Sequence, residues 1–552
     1  MMTEQTPRTR QLARSTLTVM LAFGVAKAIS LAQTFIIAKQ VGVGSEWDTF
    51  VTANRVPELI FTLISGGALA HAFIPVFTGF LAQGDKEKAW RVATHVINTI
   101  FTATLITSAV VFLFANPIAA SVAPGFAPAE IEQTAQIMRN LLVGTLIFSV
   151  SGISMGILNS HNHFLLPALA PIMFDVGILI GVIFLLKPLG VQGIAIGAVL
   201  GAAMHFTIQI PGLIHFKARW WPELGLRDPV MWYVIRLMLP RVAGLGVVSL
   251  NFLVMNNIAS RLGEGSVSAL DWGWRLMQIP ETLIGTAMGT VIFPTLATLS
   301  ELGDERGKRG AMSGALRFIL IATIPSAVGL IVVGQPLISL LERGAFDAAA
   351  ATLVYSTLRF FALGLVVHSA LEIVARSFYA DKDTLTPLFA ALGGAAINLI
   401  LSLTLSGVAQ VETMRIANTT ASMFPLLNLP TYTGNVGGLA LANSCGVAFE
   451  VLVLLWVLRR RWHGMEESTI GKTVLKTTAA SLVMALAIVI IDMVWHTLGL
   501  ADQGFAYTVL RLGVEVGGGV LVFAGVAYLM KMEELQTLLT LILRRQRTEG
   551  IA

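Results

Sequence analysis

The chain has 552 residues, of which 55% are hydrophobic and 12% charged, with a formal net charge of +5 and a mean hydropathy of +0.76. Such a composition excludes an ordinary soluble domain, and the single cysteine, Cys445, excludes an intrachain disulfide or a thiolate metal cluster. The basic residues sit in gaps between apolar stretches, so orientation in a bilayer accounts for the positive charge and nucleic-acid binding does not.

Apolar runs of about 20 residues follow one another with short polar gaps. No alternation of apolar and polar residues is sustained at the period of a barrel strand, so helices must satisfy the backbone inside lipid. The expected class is all-α, a polytopic membrane protein of about fourteen transmembrane helices. In chain order the spans fall near 15–39, 49–80, 92–116, 137–158, 165–186, 191–213, 231–260, 267–299, 313–335, 350–379, 386–408, 435–457, 474–497 and 506–530. The first follows Arg8, Arg10 and Arg14 and contains Ala26-Lys27-Ala28, which loosely resembles a signal-peptidase site. The apolar pattern resumes after Lys27 through Ile37, which predicts one long, interrupted, retained helix. The longest gap, 407–434, holds Pro425 and Pro430 and reads as an extramembrane loop. Glu533 to Arg547 reads as a short amphipathic helix ending in Arg544, Arg545 and Arg547.

Loop charges alternate with this span count. One side collects Arg8, Lys86, Lys88, Arg91, Lys217, Arg219, Arg306, Lys382, Arg459, Arg460, Arg461, Lys472, Lys531 and Arg544 among others. The other holds Lys39, Lys187, Arg261, Arg343 and Arg415. By the positive-inside rule both termini are cytoplasmic.

An internal repeat is visible as well. Gly66-Gly67-Ala68, Pro75 and Gly84-Asp85 recur in register as Gly285-Thr286-Ala287, Pro294 and Gly303-Asp304, with looser counterparts of Asp48, Arg55 and Pro57-Glu58 in Asp271, Arg275 and Pro280-Glu281. These lie on spans two and eight, and an offset of six spans preserves orientation, so the halves are expected to be parallel repeats. The organisation is then an N-terminal lobe over 1–220, a C-terminal lobe over 221–460, and two additional helices with a basic tail over 461–552.

Intramembrane charges are costly and call for a partner, a wet cavity or an interfacial position. On span eight, Ser268, Asp271, Arg275 and Gln278 are spaced to share one helical face. On span two, Asp48, Thr52, Arg55 and Thr62 form a similar stripe, and Pro57 invites a kink. Lys27 stands alone in span one. A central cleft bearing Lys27, Arg55 and Arg275 suits an anionic, phosphorylated substrate, because guanidinium groups bind phosphate with paired hydrogen bonds. Structural alternatives stay open: Asp271 and Arg275 are an i,i+4 pair, Arg55 and Glu58 are three apart, and Lys27 has Asp48 as a possible partner. His368, Glu372 and Arg376, repeating every four residues, read as a structural network, and Asp175, His205 and Arg241 as satisfied core residues. No GxxxxGK[ST], HExxH or GxSxG in a suitable setting occurs, so no catalytic site, no cofactor and no ATP-driven pumping by this chain alone are expected.

Several ordered segments together resemble the MurJ/MviN family of lipid II flippases, within the multidrug/oligosaccharidyl-lipid/polysaccharide exporter superfamily. They are Gly42-Val43-Gly44 with Asp48 and Phe50, Gly67 through Pro75, Gly265-Ser266-Val267-Ser268 with Trp274-Arg275-Leu276, Arg343-Gly344-Ala345-Phe346, and Phe378 through Thr384 with Thr386-Pro387. The resemblance implies two six-helix lobes plus two extra helices, a central cationic cavity, a groove beside the extra helices for an isoprenoid tail, and alternating access. It also implies a bacterial cytoplasmic membrane and an undecaprenyl-pyrophosphate-linked sugar peptide, lipid II, as substrate, with coupling to membrane potential or a monovalent ion. The family's substrate-site residues map onto Lys27, usually arginine there, and onto Asp48, Ser268 and Arg275. Gln33 and Phe61 stand where many members carry arginine, and Gly66 where an acid is common, so the cavity has lost cationic charge, for which Arg55 could partly compensate. An ion-coupled exporter of another lipid-linked oligosaccharide or of drugs, and a non-transporting cell-envelope scaffold, are the alternatives.

Overall fold

The computed structural model describes residues 29–30, 32–65, 67–161, 163–342, 344–411, 434–498, 504–532 and 534. Lys27 and the rest of the N-terminal segment, Gly66, the centre of the 407–434 loop and the basic tail lie outside the described residues. Among the described residues there are helices and turns but no β-strand. In chain order the helices are α1 (32–41), then α2 (Ser45–Ile60), α3 (Gly67–Ala82), α4 (Lys86–Leu113), α5 (Ala115–Val122), α6 (Pro128–Ser160), α7 (Leu165–Ile180), α8 (Leu186–Leu189), α9 (Val191–Thr207), α10 (Ile210–His215), α11 (Pro229–Ser260), α12 (Ser266–Glu281), α13 (Ala287–Glu301), α14 (Glu305–Ser339), α15 (Ala348–Ala380), α16 (Leu385–Leu405), α17 (Val436–Arg461), α18 (Glu467–Thr497) and α19 (Phe505–Leu529).

Twelve helical stretches among the described residues are long and apolar enough to cross a membrane. They correspond one for one to the third through fourteenth expected spans. Of the first two, 15–39 lies mostly outside the described residues. The second is broken in its middle, where α2 passes into a π-helical turn at Phe61–Ser65 before α3 begins. Pro57 explains the break, since its ring removes a backbone donor and crowds the preceding turn. Pro280 has the same effect in α12, which opens into a π-helical turn at Thr282–Thr286.

The repeated motif folds alike in both places. Gly84 and Gly303 adopt positive φ, 81° and 67°, which a residue with a Cβ adopts only at a cost. The aspartate that follows caps the next helix: Asp85 accepts from the Lys88 N–H at 3.0 Å and Asp304 from the Gly307 N–H at 2.8 Å.

The described residues group into two compact units, one drawn from Met1–Val267 with Gly344–Phe346, the other from Ser268–Arg343 with Asp347–Ala552. In the first unit an apolar cluster of Phe73, Phe77, Trp90, Ile153, Ile157, Met231 and Val234 joins α3, α4, α6 and α11. In lipid such burial carries little hydrophobic driving force, so close backbone approach matters more. Between α7 and α9, a Cβ built on Gly177 would lie 2.2 Å from the Gly201 Cα, and one on Gly197 would lie 2.6 Å from the Gly181 Cα. Glycine at all four positions is what lets the two helices touch. The Gly344-Ala345-Phe346 segment packs on the end of α1, with the Ala345 N–H donating to the Lys39 carbonyl at 2.9 Å and Phe346 fully buried.

The second unit has its apolar core among α14, α15, α16 and α17, with Met312, Ile319, Ile373, Phe378, Leu454 and Leu458 at its centre. The two C-terminal helices pack on α14 through Val333, Met484, Ile488 and Leu512.

Candidate substrate-binding residues

In the first unit the stripe on α2 divides into a buried N-terminal part and a more open C-terminal part. Asp48 is 2% exposed and accepts from the Gly265 N–H at 2.7 Å, which ties the start of α2 to the turn before α12. Thr52 is buried against Asn256 of α11, whose Nδ2 donates to its hydroxyl at 3.1 Å. Arg55 lies 3.7 Å from Glu58 and stacks over the Phe252 ring, 5.5 Å from its centroid, with its side chain 16% exposed. Both partners hold the guanidinium to the helix, so part of its capacity is structural. Gln33 is buried, and Phe61 packs at a tilt against Phe148, with ring centroids 5.6 Å apart. Neither position contributes a cation.

In the second unit, α12 carries the other stripe. Ser268 is fully buried and Asp271 nearly so. The Asp271 carboxylate accepts from Arg275 Nε at 2.7 Å, while the Arg275 side chain is 47% exposed. Gln278, one turn further on, is exposed as well. The opposite face is packed, with Trp272 at 1% exposure and Trp274 edge-on to Phe361 and His368. At Gly273 a Cβ would come within 2.2 Å of the Thr357 hydroxyl, so α12 seats directly on α15. A half-exposed arginine on a membrane helix is tolerable where that face lines a water-filled cavity. The Asp271 bond through Nε aligns the planar fork and keeps it on the exposed side. Charge, planarity and hydration together suit capture of a phosphate-bearing headgroup.

Other polar groups that drew attention in the sequence are engaged in structure, while the side chain of Arg241 lies outside the described residues. Arg376 pairs with Glu372 at 2.9 Å and packs over Gly289, and His368 bonds Asn443 at 3.1 Å. His205 bonds Ser151 at 2.7 Å, with Gln209 donating to the same hydroxyl at 2.8 Å. One cluster was not singled out from the sequence: Arg511 of α19 bridges Asp492 of α18 and Glu515, the latter at 2.7 Å, beside a cavity of about 430 Å³ that His496, Glu342 and Tyr355 also line. The signal available was three charges inside the last two spans.

The profile of the family described as lipid II flippase MurJ matches residues 37–434. The chain belongs to the MurJ family. Among its relatives, the lipid II flippase MurJ of Burkholderia cenocepacia is 30% identical over 393 residues, 69% of this chain and 76% of that protein. The probable lipid II flippase MurJ of Bdellovibrio bacteriovorus is 26% identical over 532 residues, covering 93% and 95% of the two chains. In architecture, this MurJ-family chain is similar to a lipid II flippase MurJ in an inward closed conformation, with a TM-score of 0.76 at 23% identity over 94% of this chain and 99% of that one. An inward-facing multidrug resistance MATE family transporter of the MOP superfamily matches with a TM-score of 0.63 at 15% identity, over 81% and 96%. The exporter fold expected from the resemblance is thus the fold found, in a multi-pass all-helical membrane protein.

Proposed function

We propose that this chain is a flippase that carries lipid II, an undecaprenyl-pyrophosphate-linked sugar peptide, from the inner to the outer leaflet of a bacterial cytoplasmic membrane by alternating access. The observation that carries this is Arg275: an arginine 47% exposed on the polar face of a membrane helix, oriented by a buried aspartate, in a chain of the MurJ family. Its fork would engage the pyrophosphate, with Ser268 and Asp271 as the residues that set its position. Arg55 on α2 supplies a second guanidinium, and Lys27 and Asp48 complete the proposed set. A drug exporter that takes cations would want acidic and aromatic groups at these positions rather than arginines. Chemistry on the substrate is not part of the role: it is moved and not altered. Both termini face the cytoplasm in this proposal, with the lobes at 1–220 and 221–460 rocking about the substrate and coupled to membrane potential or a monovalent ion.

Complementation tests the proposal. The chain should restore growth, and lipid II accessible on the outer face, to a bacterium depleted of its own flippase. Growth failure with correctly inserted protein, and lipid II still confined to the inner leaflet, would refute it.

A further inference from the structure

Glu450 lies near the middle of α17, a membrane helix with apolar residues on either side of it. Neither the fold nor the proposed substrate site gives it a task. Among the described residues no hydrogen bond or ion pair reaches its carboxylate, in contrast to Asp271, Glu372 and Glu515, each held by an arginine. A bare carboxylate at that depth is costly, and a bound proton removes the cost.

Its surroundings are asymmetric along the helix. The backbones of α16 and α17 meet at Gly394 and Gly446, where a Cβ on Gly394 would lie 2.7 Å from the Gly446 carbonyl and 3.4 Å from the Glu450 Cβ. From that crossing toward the Leu405 end, α16 presents Asn398, Ser402 and Ser406 at intervals of four residues, all at most 1% exposed. The Ser402 hydroxyl donates to Asn398 Oδ1 at 3.0 Å. Asn443, about two turns before Glu450 on α17, bonds His368 of α15 at 3.1 Å. In the other direction, toward Arg461, the same helices pack through the apolar side chains of Ala390, Val451, Leu454 and Leu458. The titratable and charged groups on the elements packed against α17 are Tyr355, Arg359, His368, the Glu372–Arg376 pair and Tyr379 on α15, of which Arg359 stacks over Phe360; Leu385–Leu405 of α16 carries none, and α17 itself adds Cys445 and Arg459 to Arg461.

We infer that Glu450 is an intramembrane proton-binding site, reached along the Asn398, Ser402 and Ser406 face and sealed by the apolar core on the Arg461 side. The step is a proton transfer: a hydronium ion at the site gives its proton to one carboxylate oxygen, its own O–H bond breaking as the carboxyl O–H bond forms and neutral water being left, and the reverse transfer to water restores the carboxylate when the site is rehydrated. Its use in a transport cycle rests on the flippase proposal above, in which the Ser406 end faces outward. A neutral glutamic acid with only a packing role would be replaced without loss by glutamine, so the two possibilities separate cleanly.

The test uses the full chain in liposomes, with Glu450→Gln and Glu450→Asp beside the wild type. Infrared spectra recorded across a pH series should show a carboxyl C=O band that titrates in the wild type, is missing in Glu450→Gln and is displaced in Glu450→Asp. Lipid II translocation should lose its pH dependence in Glu450→Gln and keep it in Glu450→Asp, with thermal melting of both close to wild type. A wild-type spectrum lacking any titrating band that Glu450→Gln removes would overturn the proton site, as would an unchanged pH profile of transport in Glu450→Gln. A titrating band in a protein that moves no lipid II would instead leave the proton site standing and remove the flippase proposal.

Discussion

Replacing Arg275 with alanine should abolish transport while the protein still inserts, and the structure separates this from a mere loss of charge balance. Asp271 has a side chain 8% exposed and Arg275 one 47% exposed, so the two halves of the pair are not equivalent. Arg275→Ala takes a charged hydrogen-bond donor away from a buried carboxylate, at a cost of about 1–3 kcal/mol. Asp271→Ala leaves a half-hydrated guanidinium without one partner, which should cost about 0–1 kcal/mol. Removing both charges takes away the buried carboxylate that has lost its arginine, so the double variant should melt higher than Arg275→Ala alone. Transport should follow a different order: absent in Arg275→Ala and in the double variant, reduced in Asp271→Ala where the fork is no longer oriented, and partly recovered in Arg275→Lys, which keeps charge but loses the two-pronged geometry. The assay is a cycle of the two single variants and the double, scored for lipid II on the outer face, with membrane levels by blot and melting in detergent. If the double variant restores transport along with stability, Arg275 belongs to the structure and the residue-level case for an anionic headgroup fails.

Topology gives a second prediction: a reporter active only in the cytoplasm should work when fused to the C-terminus and fail when inserted near Asn418, and the reverse at either point would refute the orientation. Binding of polyprenyl-pyrophosphate-linked sugars should exceed binding of the uncharged polyprenol, by a margin that shrinks as salt rises; equal affinities would sink the anionic-headgroup argument. At the loop between α15 and α16, burial alone would raise the Asp383 carboxyl, but hydrogen bonds from Thr386 and the Arg461 guanidinium 2.6 Å away outweigh it and hold the group below its ordinary range. A lowered folded-state value stabilises the fold above the ordinary carboxylate range and ceases to do so as pH falls through the lowered value. Asp383→Asn should therefore melt lower than wild type at neutral pH, with the gap closing on acidification. Gly177→Leu should cost about 3 kcal/mol or more and deplete the protein from membranes, since the added side chain meets α9 backbone at 2.2 Å; normal levels would show that α7 and α9 can separate.

Spans three to fourteen could be read from the sequence because hydropathy over about 20 residues reports directly on the bilayer's demand for satisfied backbone. Pro57 gave away the break in the second span, since a missing N–H acts locally, whereas the π-helical turns at Thr282–Thr286 and Gly181–Leu185 were not read from the sequence. The Asp271–Arg275 pair was equally accessible, being set by helical spacing. What the sequence concealed depends on contacts between distant segments. Nothing local marks Gly265 as the donor to Asp48, 217 residues away, or Gly344-Ala345-Phe346 as a piece of the first unit embedded in the second half of the chain. The Arg511 bridge between Asp492 and Glu515 joins charges on two helices whose facing sides hydropathy averages away. Glu450 was overlooked for the converse reason: a single acid in an apolar run barely lowers the window mean, and its isolation emerges only once its neighbours on α15 and α16 are known.

The most direct test of the flippase proposal is translocation by the purified chain in liposomes loaded with fluorescent lipid II, read by access of a membrane-impermeant quencher. Wild-type protein should expose labelled lipid II on the opposite leaflet, and Arg275→Ala protein at equal density should not exceed empty liposomes. Equal exposure with wild-type protein, with Arg275→Ala protein and without protein would contradict the account.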